Sequence, residues 1–220
     1  MSRAPAPIYP KYAIFARVTN LLTGRSPKTY ALYPHPCDDA KAAAVAAATV
    51  GQKHMPYTPI LATLGYVFSP DGRRVLMIHR NARPDDAHLG KYNGLGGKLE
   101  PGEDVVAGMK REIREEAGIE CDAVQLAGTI SWPGFGKRGE DWFGFIFRIE
   151  QFSGAPLSAN AEGALEWVEV DRVSTLPLWD GDRFFLPLVF DRSAPQFHGV
   201  MPYQNGKPVS WSYSTVSAGV

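Results

Sequence analysis

Three carboxylates lie close together in the segment from Gly97 to Ile119, GKLEPGEDVVAGMKREIREEAGI. If this segment is helical, Glu112, Glu115 and Glu116 fall within an arc of about 100° and within one turn. Like charges at these spacings destabilise an isolated helix unless a cation lies among them. Oxygen ligands at this density suit Mg²⁺, with Mn²⁺ as a substitute. The three glutamates therefore indicate a divalent metal site.

A row of glutamates is also typical of a solvated helix surface, where neighbours such as Arg111 and Arg114 neutralise the charge. The spacing of the whole segment decides between the two interpretations. From Gly97 to Ile119 it runs Gly, five residues, Glu, seven residues, Arg-Glu, an aliphatic residue, any residue, Glu-Glu, any residue, Gly and an aliphatic residue. This pattern resembles the complete Nudix box.

The resemblance to Nudix hydrolases runs from about Thr58 to about Tyr213. It implies an α/β/α sandwich with a mixed sheet, and Mg²⁺-dependent hydrolysis of a nucleoside diphosphate that is linked to another group. The predicted catalytic residues are Glu115, Glu112 and Arg111, and the spacing leaves open which glutamate is the general base. The predicted metal ligands are Gly97 through its carbonyl, Glu112, Glu115, Glu116 and, outside the box, Glu162.

Selectivity for a substrate must come from residues outside the catalytic chemistry. The stretch KYNGLGGK, residues 91–98, resembles the WNGFGGK stretch of MutT-like diphosphatases that remove oxidised purine nucleoside triphosphates. The resemblance implies that Asn93 contacts the base and that Gly96 and Lys98 lie at the substrate. Asn93 before a glycine is also a common turn former. Arg80 aligns with a basic residue near the substrate, although an exposed surface arginine is an equally good interpretation.

A second stretch, LWDGDRFFLP at 178–187 followed by QFHG at 196–199, resembles the animal branch of these enzymes. It implies that Trp179 stacks on the base and that Asp182 hydrogen-bonds the edge of the base. Trp179 could equally be a half-buried packing residue. The animal enzymes have two adjacent aspartates after the tryptophan, whereas Gly181 separates Asp180 from Asp182 here. Recognition of an oxidised purine is therefore open.

The favoured hypothesis is an 8-oxo-dGTP-type diphosphatase that releases a monophosphate and pyrophosphate and so removes damaged nucleotides from the pool. The alternatives with the same chemistry are a broad (d)NTP hydrolase, an ADP-ribose or dinucleoside polyphosphate hydrolase, and pyrophosphate removal from RNA ends. A hypothesis of a different class is a nucleotide-binding regulatory module of Nudix fold. In that case residues 1–57 dock a partner, and nucleotide acts as a signal.

The pattern of apolar residues predicts an α+β fold that positions these side chains. Residues 1–57 form a predicted ββα extension, with strands at 12–18 and 29–33 and an alanine-rich helix at 40–50. Residues 58–220 form the predicted Nudix domain. Its helices are predicted at 103–117 and 182–190, and its strands at 61–68, 74–79, 123–132, 142–150, 166–170, 197–203 and 209–213.

Composition excludes several other classes of protein. The 220 residues contain 23 Lys and Arg and 23 Asp and Glu, so no overall field favours duplex nucleic acid or an anionic membrane. We expect a small-molecule nucleotide as partner, with a homodimer through the extension as a further option. The sequence shows no transmembrane run or secretory signal, which predicts a cytoplasmic protein. Cys37 and Cys121 lack zinc-ligand spacing and are expected to be buried.

Overall fold

A computed structural model describes residues 28–31, 56–86 and 88–216 of the chain. The predicted strand at 12–18, the predicted helix at 40–50 and Cys37 lie outside the described residues. Of the predicted extension, the structure describes the short strand Lys28–Ala31 and residues 56–57. This strand pairs antiparallel with the last strand of the chain, so it continues the same sheet as the predicted domain. The boundary between residues 57 and 58 stays a prediction.

Within the described residues, nine strands form one mixed sheet. The strands of the described residues are β1 Lys28–Ala31, β2 Ile60–Phe68, β3 Arg74–His79, β4 Tyr92–Asn93, β5 Glu120–Trp132, β6 Trp142–Ser153, β7 Ala164–Glu169, β8 Phe197–Val200, β9 Tyr203–Gln204, β10 Lys207–Pro208 and β11 Ser210–Thr215. The order in the sheet is β1-β11-β8-β5-β6-β2-β3-β4, with β7 paired to β3, and the short strands β9 and β10 form a separate hairpin. The pairs β2–β6 and β5–β8 are parallel.

Helix α1, Val105–Ala117, begins two residues later than the sequence predicted. Asp104 is its N-cap, because its carboxylate accepts hydrogen bonds from the backbone N–H groups of Val106 and Ala107 at 2.8 and 2.9 Å. Gly118 ends the helix at φ 69°, a left-handed conformation that favours glycine. The helix is therefore fixed at both ends, and the glutamates in its second half have a defined position.

The two helices cover opposite faces of the sheet, which confirms the predicted sandwich. α1 buries Met109, Ile113 and Ala117, which follow one another at intervals of four residues. In the sequence, the apolar residues Val106, Met109 and Ile113 at i, i+3 and i+7 predict one buried helix face. This prediction is wrong for Val106, which is 39% exposed. α2, Asp182–Phe190, has the predicted bounds and packs on the other face. None of the described helices is long and apolar enough to cross a membrane.

Arg148 is a buried charge that the sequence analysis did not identify. It lies on β6, is 2% exposed, and donates hydrogen bonds to the carbonyls of Val189, Leu188 and Asp191 at 2.6, 2.7 and 3.0 Å. These carbonyls lie at the C-terminal end of α2, where backbone acceptors lack partners within the helix. Arg148 thus holds the C-terminal end of α2 against the sheet.

Candidate active site

The glycine turn before α1 is pressed against β2. Gly96 has φ 145°, and a Cβ at this position would lie 2.3 Å from the carbonyl oxygen of Thr63. Only glycine fits such an approach. The backbone N–H of Thr63 donates to the carbonyl of Gly97 at 2.8 Å, which leaves the second lone pair of that oxygen available. The turn is thus held beside β2 by backbone hydrogen bonds.

Two of the helix carboxylates touch this turn. The backbone N–H of Gly96 donates to Oε2 of Glu116 at 2.8 Å. A Cβ on Gly97 would lie only 2.5 Å from Oε1 of Glu112, so any larger residue would displace that carboxylate. The predicted juxtaposition of the glycine turn with Glu112 and Glu116 is present in the structure.

Burial of these carboxylates makes their charge costly. It raises the pKa of Glu116 to about 8; the Gly96 N–H opposes this, and the like charges of Glu162 and Glu112 add to it. Burial also raises the pKa of Glu112, against the opposing effect of Arg111. A positive charge among these oxygens would therefore stabilise the site.

Arg111 organises the other acidic residues of the box. Its guanidinium donates to Glu103 at 3.0 and 2.7 Å, to Glu112 at 3.0 Å and to Glu115 at 3.3 Å. Hydrogen bonds from Arg111 lower the pKa of Glu103 to about 2. The Glu115 side chain is 58% exposed, so it faces solvent, whereas Glu112 and Glu116 face the turn. The three glutamates thus have different environments, although the helical wheel places them on one face.

Arg80 and Glu162 are paired with each other. Nη1 of Arg80 bonds to Oε2 of Glu162, while its Nη2 lies 2.8 Å from Oδ2 of Asp86. The predicted substrate contact of Arg80 and the predicted metal contact of Glu162 are untested by this arrangement and stay predictions. Arg80 thus links Glu162, whose carboxylate is near Glu116, to Asp86 in the loop that follows β3.

The oxygen donors fit a hard divalent cation, although they are not arranged as a complete coordination shell. Among the described residues, no three His, Cys, Asp or Glu side chains are arranged to hold one ion. Each carboxylate instead accepts from a protein cation or a backbone N–H. The fit lies in the chemistry. Glu112, Glu116 and Glu162 supply only oxygen, and Gly97 leaves room beside Glu112. Burial raises the pKa of Glu116, and the charges of Glu162 and Glu112 add to this effect.

Trp179 lies in the segment just before α2, among polar and aromatic neighbours. Nζ of Lys91 is 5.3 Å from its ring centroid and donates to the carbonyl of Leu178 at 2.8 Å. The ring of His88 meets Trp179 at 4.7 Å and 65°, and the ring of Phe135 meets it at 6.4 Å and 72°. Trp179 is half-buried, so part of the ring remains accessible.

Asp182, the first residue of α2, lies beside Trp179. Burial raises its pKa to about 7, against the lowering effects of the Trp179 backbone, Lys91 and Arg183. Near neutral pH this carboxyl can therefore act as a donor or an acceptor of hydrogen bonds. Gly181 is buried, and a Cβ there would lie 2.3 Å from the Tyr203 hydroxyl. The glycine that separates the two aspartates is thus required by close packing.

The remaining predicted substrate residues lie around the same turn. Asn93 is in β4, opposite Ile78, and its side chain makes no hydrogen bond to another described residue. Lys98 is exposed, with Nζ 5.4 Å from the ring centroid of Trp142. Gly96 lies between them. The chain segment from Asn93 to Lys98 therefore links the aromatic residues to the helix carboxylates.

A family model for the Nudix domain matches residues 58–189. The chain belongs to the Nudix family. Two curated relatives are each named oxidized purine nucleoside triphosphate hydrolase: the Danio rerio protein is 29% identical over 148 residues, 67% of this chain and 89% of the relative. The Mus musculus protein is 31% identical over 116 residues, which are 53% of this chain and 72% of the relative.

Among solved structures, the MutT protein of Bacillus halodurans is similar with a TM-score of 0.61 and 28% identity, covering 70% of this chain and 97% of the other. The chain is thus a MutT-like Nudix hydrolase, and the resemblance inferred from the sequence is confirmed, as are the Nudix fold and the enzyme class.

Sequence reasoning missed most of the aromatic residues near Trp179 in this Nudix chain. The ring of Phe135 lies 5.9 Å from Trp132, 5.8 Å from Trp142 and 5.0 Å from Tyr203. These four rings and Trp179 are all half-buried, so each keeps part of its surface exposed. A signal was available: the β5–β6 hairpin places Trp132, Phe135 and Trp142 within eleven residues that also include three glycines.

Proposed function

We propose that this Nudix hydrolase uses Mg²⁺ to cleave a diphosphate bond of a nucleoside triphosphate, most effectively of 8-oxo-dGTP or a related oxidised purine nucleotide. The products are the nucleoside monophosphate and pyrophosphate. The observation that carries the proposal is the contact of Glu112 and Glu116 with the Gly96–Gly97 turn, together with the raised pKa of Glu116. Such a group of carboxylates is suited to a divalent cation and a phosphate substrate.

The residues of the chain divide the chemistry between them. Glu112, Glu116, Glu162 and the Gly97 carbonyl would hold the metal ion, which stabilises negative charge on the phosphate oxygens when it is bound. Glu115 faces solvent and is the candidate for accepting the proton of the attacking water. Arg111 contacts both the proposed metal ligand Glu112 and the proposed base Glu115, because its Nη1 donates a hydrogen bond to each of them.

The base-binding part of the proposal is supported by Trp179, Asp182 and Asn93. A half-buried indole can stack on a purine, and Asp182 can donate or accept at the edge of the base since its pKa is about 7. The names of the Danio rerio and Mus musculus relatives agree with an oxidised purine substrate. The polar side chain of Asn93 faces no protein partner among the described residues, so it can bond to the substrate.

One observation favours a second candidate, a broad (d)NTP hydrolase. Nζ of Lys91 lies over the ring of Trp179, where it competes with a stacked base. If the lysine keeps this place when nucleotide binds, the indole discriminates poorly between bases, and several nucleoside triphosphates should react at similar rates.

A substrate panel tests the proposal. Products are identified after incubation with 8-oxo-dGTP, 2-oxo-dATP, the normal dNTPs, ADP-ribose and a dinucleoside polyphosphate, each with Mg²⁺ and with a chelator. We expect Mg²⁺-dependent release of pyrophosphate, fastest from an oxidised purine. A preference for ADP-ribose, or equal rates with the chelator, contradicts the proposal, and a flat profile over dNTPs supports the second candidate.

A further inference from the structure

A part-buried ion pair holds the loop that follows β3. Nε of Arg80 donates to Oδ2 of Asp86 at 2.8 Å, and the two side chains are only 15% and 8% exposed. Two backbone hydrogen bonds join the ends of the loop, from Arg80 N to Lys91 O at 2.9 Å and from Gly90 N to Arg80 O at 2.7 Å. An ion pair so shielded from solvent keeps its geometry better than an exposed one.

Asp86 also holds the backbone of His88 in place. Its other oxygen, Oδ1, accepts a hydrogen bond from the backbone N–H of His88 at 2.9 Å. The imidazole of His88 then contacts the indole of Trp179 edge to face, at 4.7 Å between ring centroids. A continuous set of contacts thus runs from Arg80 through Asp86 and His88 to the indole.

The imidazole carries a polar atom that the protein does not satisfy. Nδ1 of His88 is buried and has no hydrogen-bond partner among the described residues. A buried nitrogen without a partner costs free energy that a purely apolar ring would not cost. Burial also lowers the pKa of His88, and the Arg80 charge adds to this effect. Both favour the neutral ring, which offers one donor and one acceptor.

We propose that His88 is a specificity-determining residue that binds the ring of the substrate beside Trp179, and that Arg80 and Asp86 are positioning residues that hold it there. The inference deepens the proposed function, on which the identity of this ring as a nucleobase rests. It gives Arg80 a structural role at the base end of the site, in place of a direct contact with phosphate.

Isothermal titration calorimetry of the full chain tests this without any cleavage step. Guanosine 5′-monophosphate is the probe, and ribose 5-phosphate, which lacks the base, is its control. We expect His88→Phe, which keeps a ring but no nitrogen, to weaken binding of the nucleotide about fivefold, as for the loss of one hydrogen bond. Ribose 5-phosphate should bind unchanged.

Asp86→Ala should cause a similar loss, and the double variant should lose little more, because both changes act through the position of one ring. Asp86→Asn repeats the measurement if Asp86→Ala does not fold. The matched control is Asp85→Ala, since Asp85 is the exposed neighbour in the same loop. The inference is overturned if His88→Phe binds within twofold of the wild type, if the losses in the double variant multiply, or if the wild type binds both probes equally. The proposed function fails separately, if the wild type binds the nucleotide through His88 but cleaves no nucleoside triphosphate.

Discussion

Replacing Glu116 with glutamine should stabilise the metal-free protein at alkaline pH. The folded state raises the pKa of Glu116 from 4.5 to about 8, mainly by burial. An acid with a raised pKa favours folding while it is protonated, and this contribution is lost as the pH rises from 4.5 through 8. Glutamine carries no charge, and its amide oxygen can still accept the hydrogen bond from the backbone of Gly96.

The size of the effect follows from the pKa shift. About 3.5 pKa units correspond to about 5 kcal/mol at pH above 8, since each unit is worth about 1.4 kcal/mol. Relaxation and water around the carboxyl reduce this, and we expect about 2 kcal/mol. For a chain of this length that raises the Tm by about 4–8 °C. At pH 4.5 the two proteins should melt together.

Thermal denaturation in the presence of a chelator, at pH 4.5 and pH 8.5, measures this difference. Glu115→Gln is the matched control, because Glu115 lies on the same helix but is 58% exposed, and its Tm should match the wild type at both pH values. Added Mg²⁺ should then stabilise the wild type at pH 8.5 but not Glu116→Gln. An equal Tm for Glu116→Gln and the wild type at pH 8.5, or an equal gain at both pH values, would refute the reasoning.

Four further changes test other parts of the site and the fold. Glu115→Gln should lower kcat by a factor of about 10² or more while the Kd for nucleotide stays near that of the wild type, and near-normal rates would remove this residue from the chemistry. Trp179→Ala should reduce the preference between bases, since stacking is worth about 1–3 kcal/mol per base; a lower Tm with unchanged preference would assign the indole to packing alone. Asp182→Asn should raise the Tm at pH 8.5 but not at pH 4, because the wild type loses stability as the pH rises through the Asp182 pKa of about 7. The same Tm difference between variant and wild type at both pH values would contradict that. Arg148→Met should lower the free energy of unfolding by about 2–3 kcal/mol in a urea titration, because three carbonyls near the end of α2 lose a charged donor, and an unchanged midpoint would show that these bonds are replaceable.

The proximity of the glycine turn to two helix carboxylates could be predicted because these residues are close together in the chain. Gly97, Glu112 and Glu116 lie within one loop and one helix, so their positions follow from helical geometry and one glycine turn. The same reasoning misplaced Val106, because the spacing of Val106, Met109 and Ile113 does not fix the direction in which the helix faces the sheet. The buried face is instead made by Met109, Ile113 and Ala117, and it is known only with the sheet in place.

The base end of the site could not be predicted to the same extent, because it joins distant segments. Arg80 is paired with Glu162, 82 residues away, and Trp179 meets a loop and a hairpin from elsewhere in the chain. Such contacts depend on strand order, which spacing does not encode. Arg148 is a similar case, since an isolated arginine in an apolar strand gives no sign of the carbonyls that it will meet 40 residues later.

The most direct test of the central claim is the rate of pyrophosphate release from 8-oxo-dGTP and from dGTP, measured side by side with Mg²⁺ for the wild type and for Glu115→Gln. The account predicts a kcat/KM for 8-oxo-dGTP at least about tenfold above that for dGTP, a difference of about 1.4 kcal/mol in transition-state binding, and loss of both activities in the variant. Equal kcat/KM values would contradict the assignment of an oxidised purine substrate. Full activity of Glu115→Gln would contradict the assigned role of the helix carboxylates.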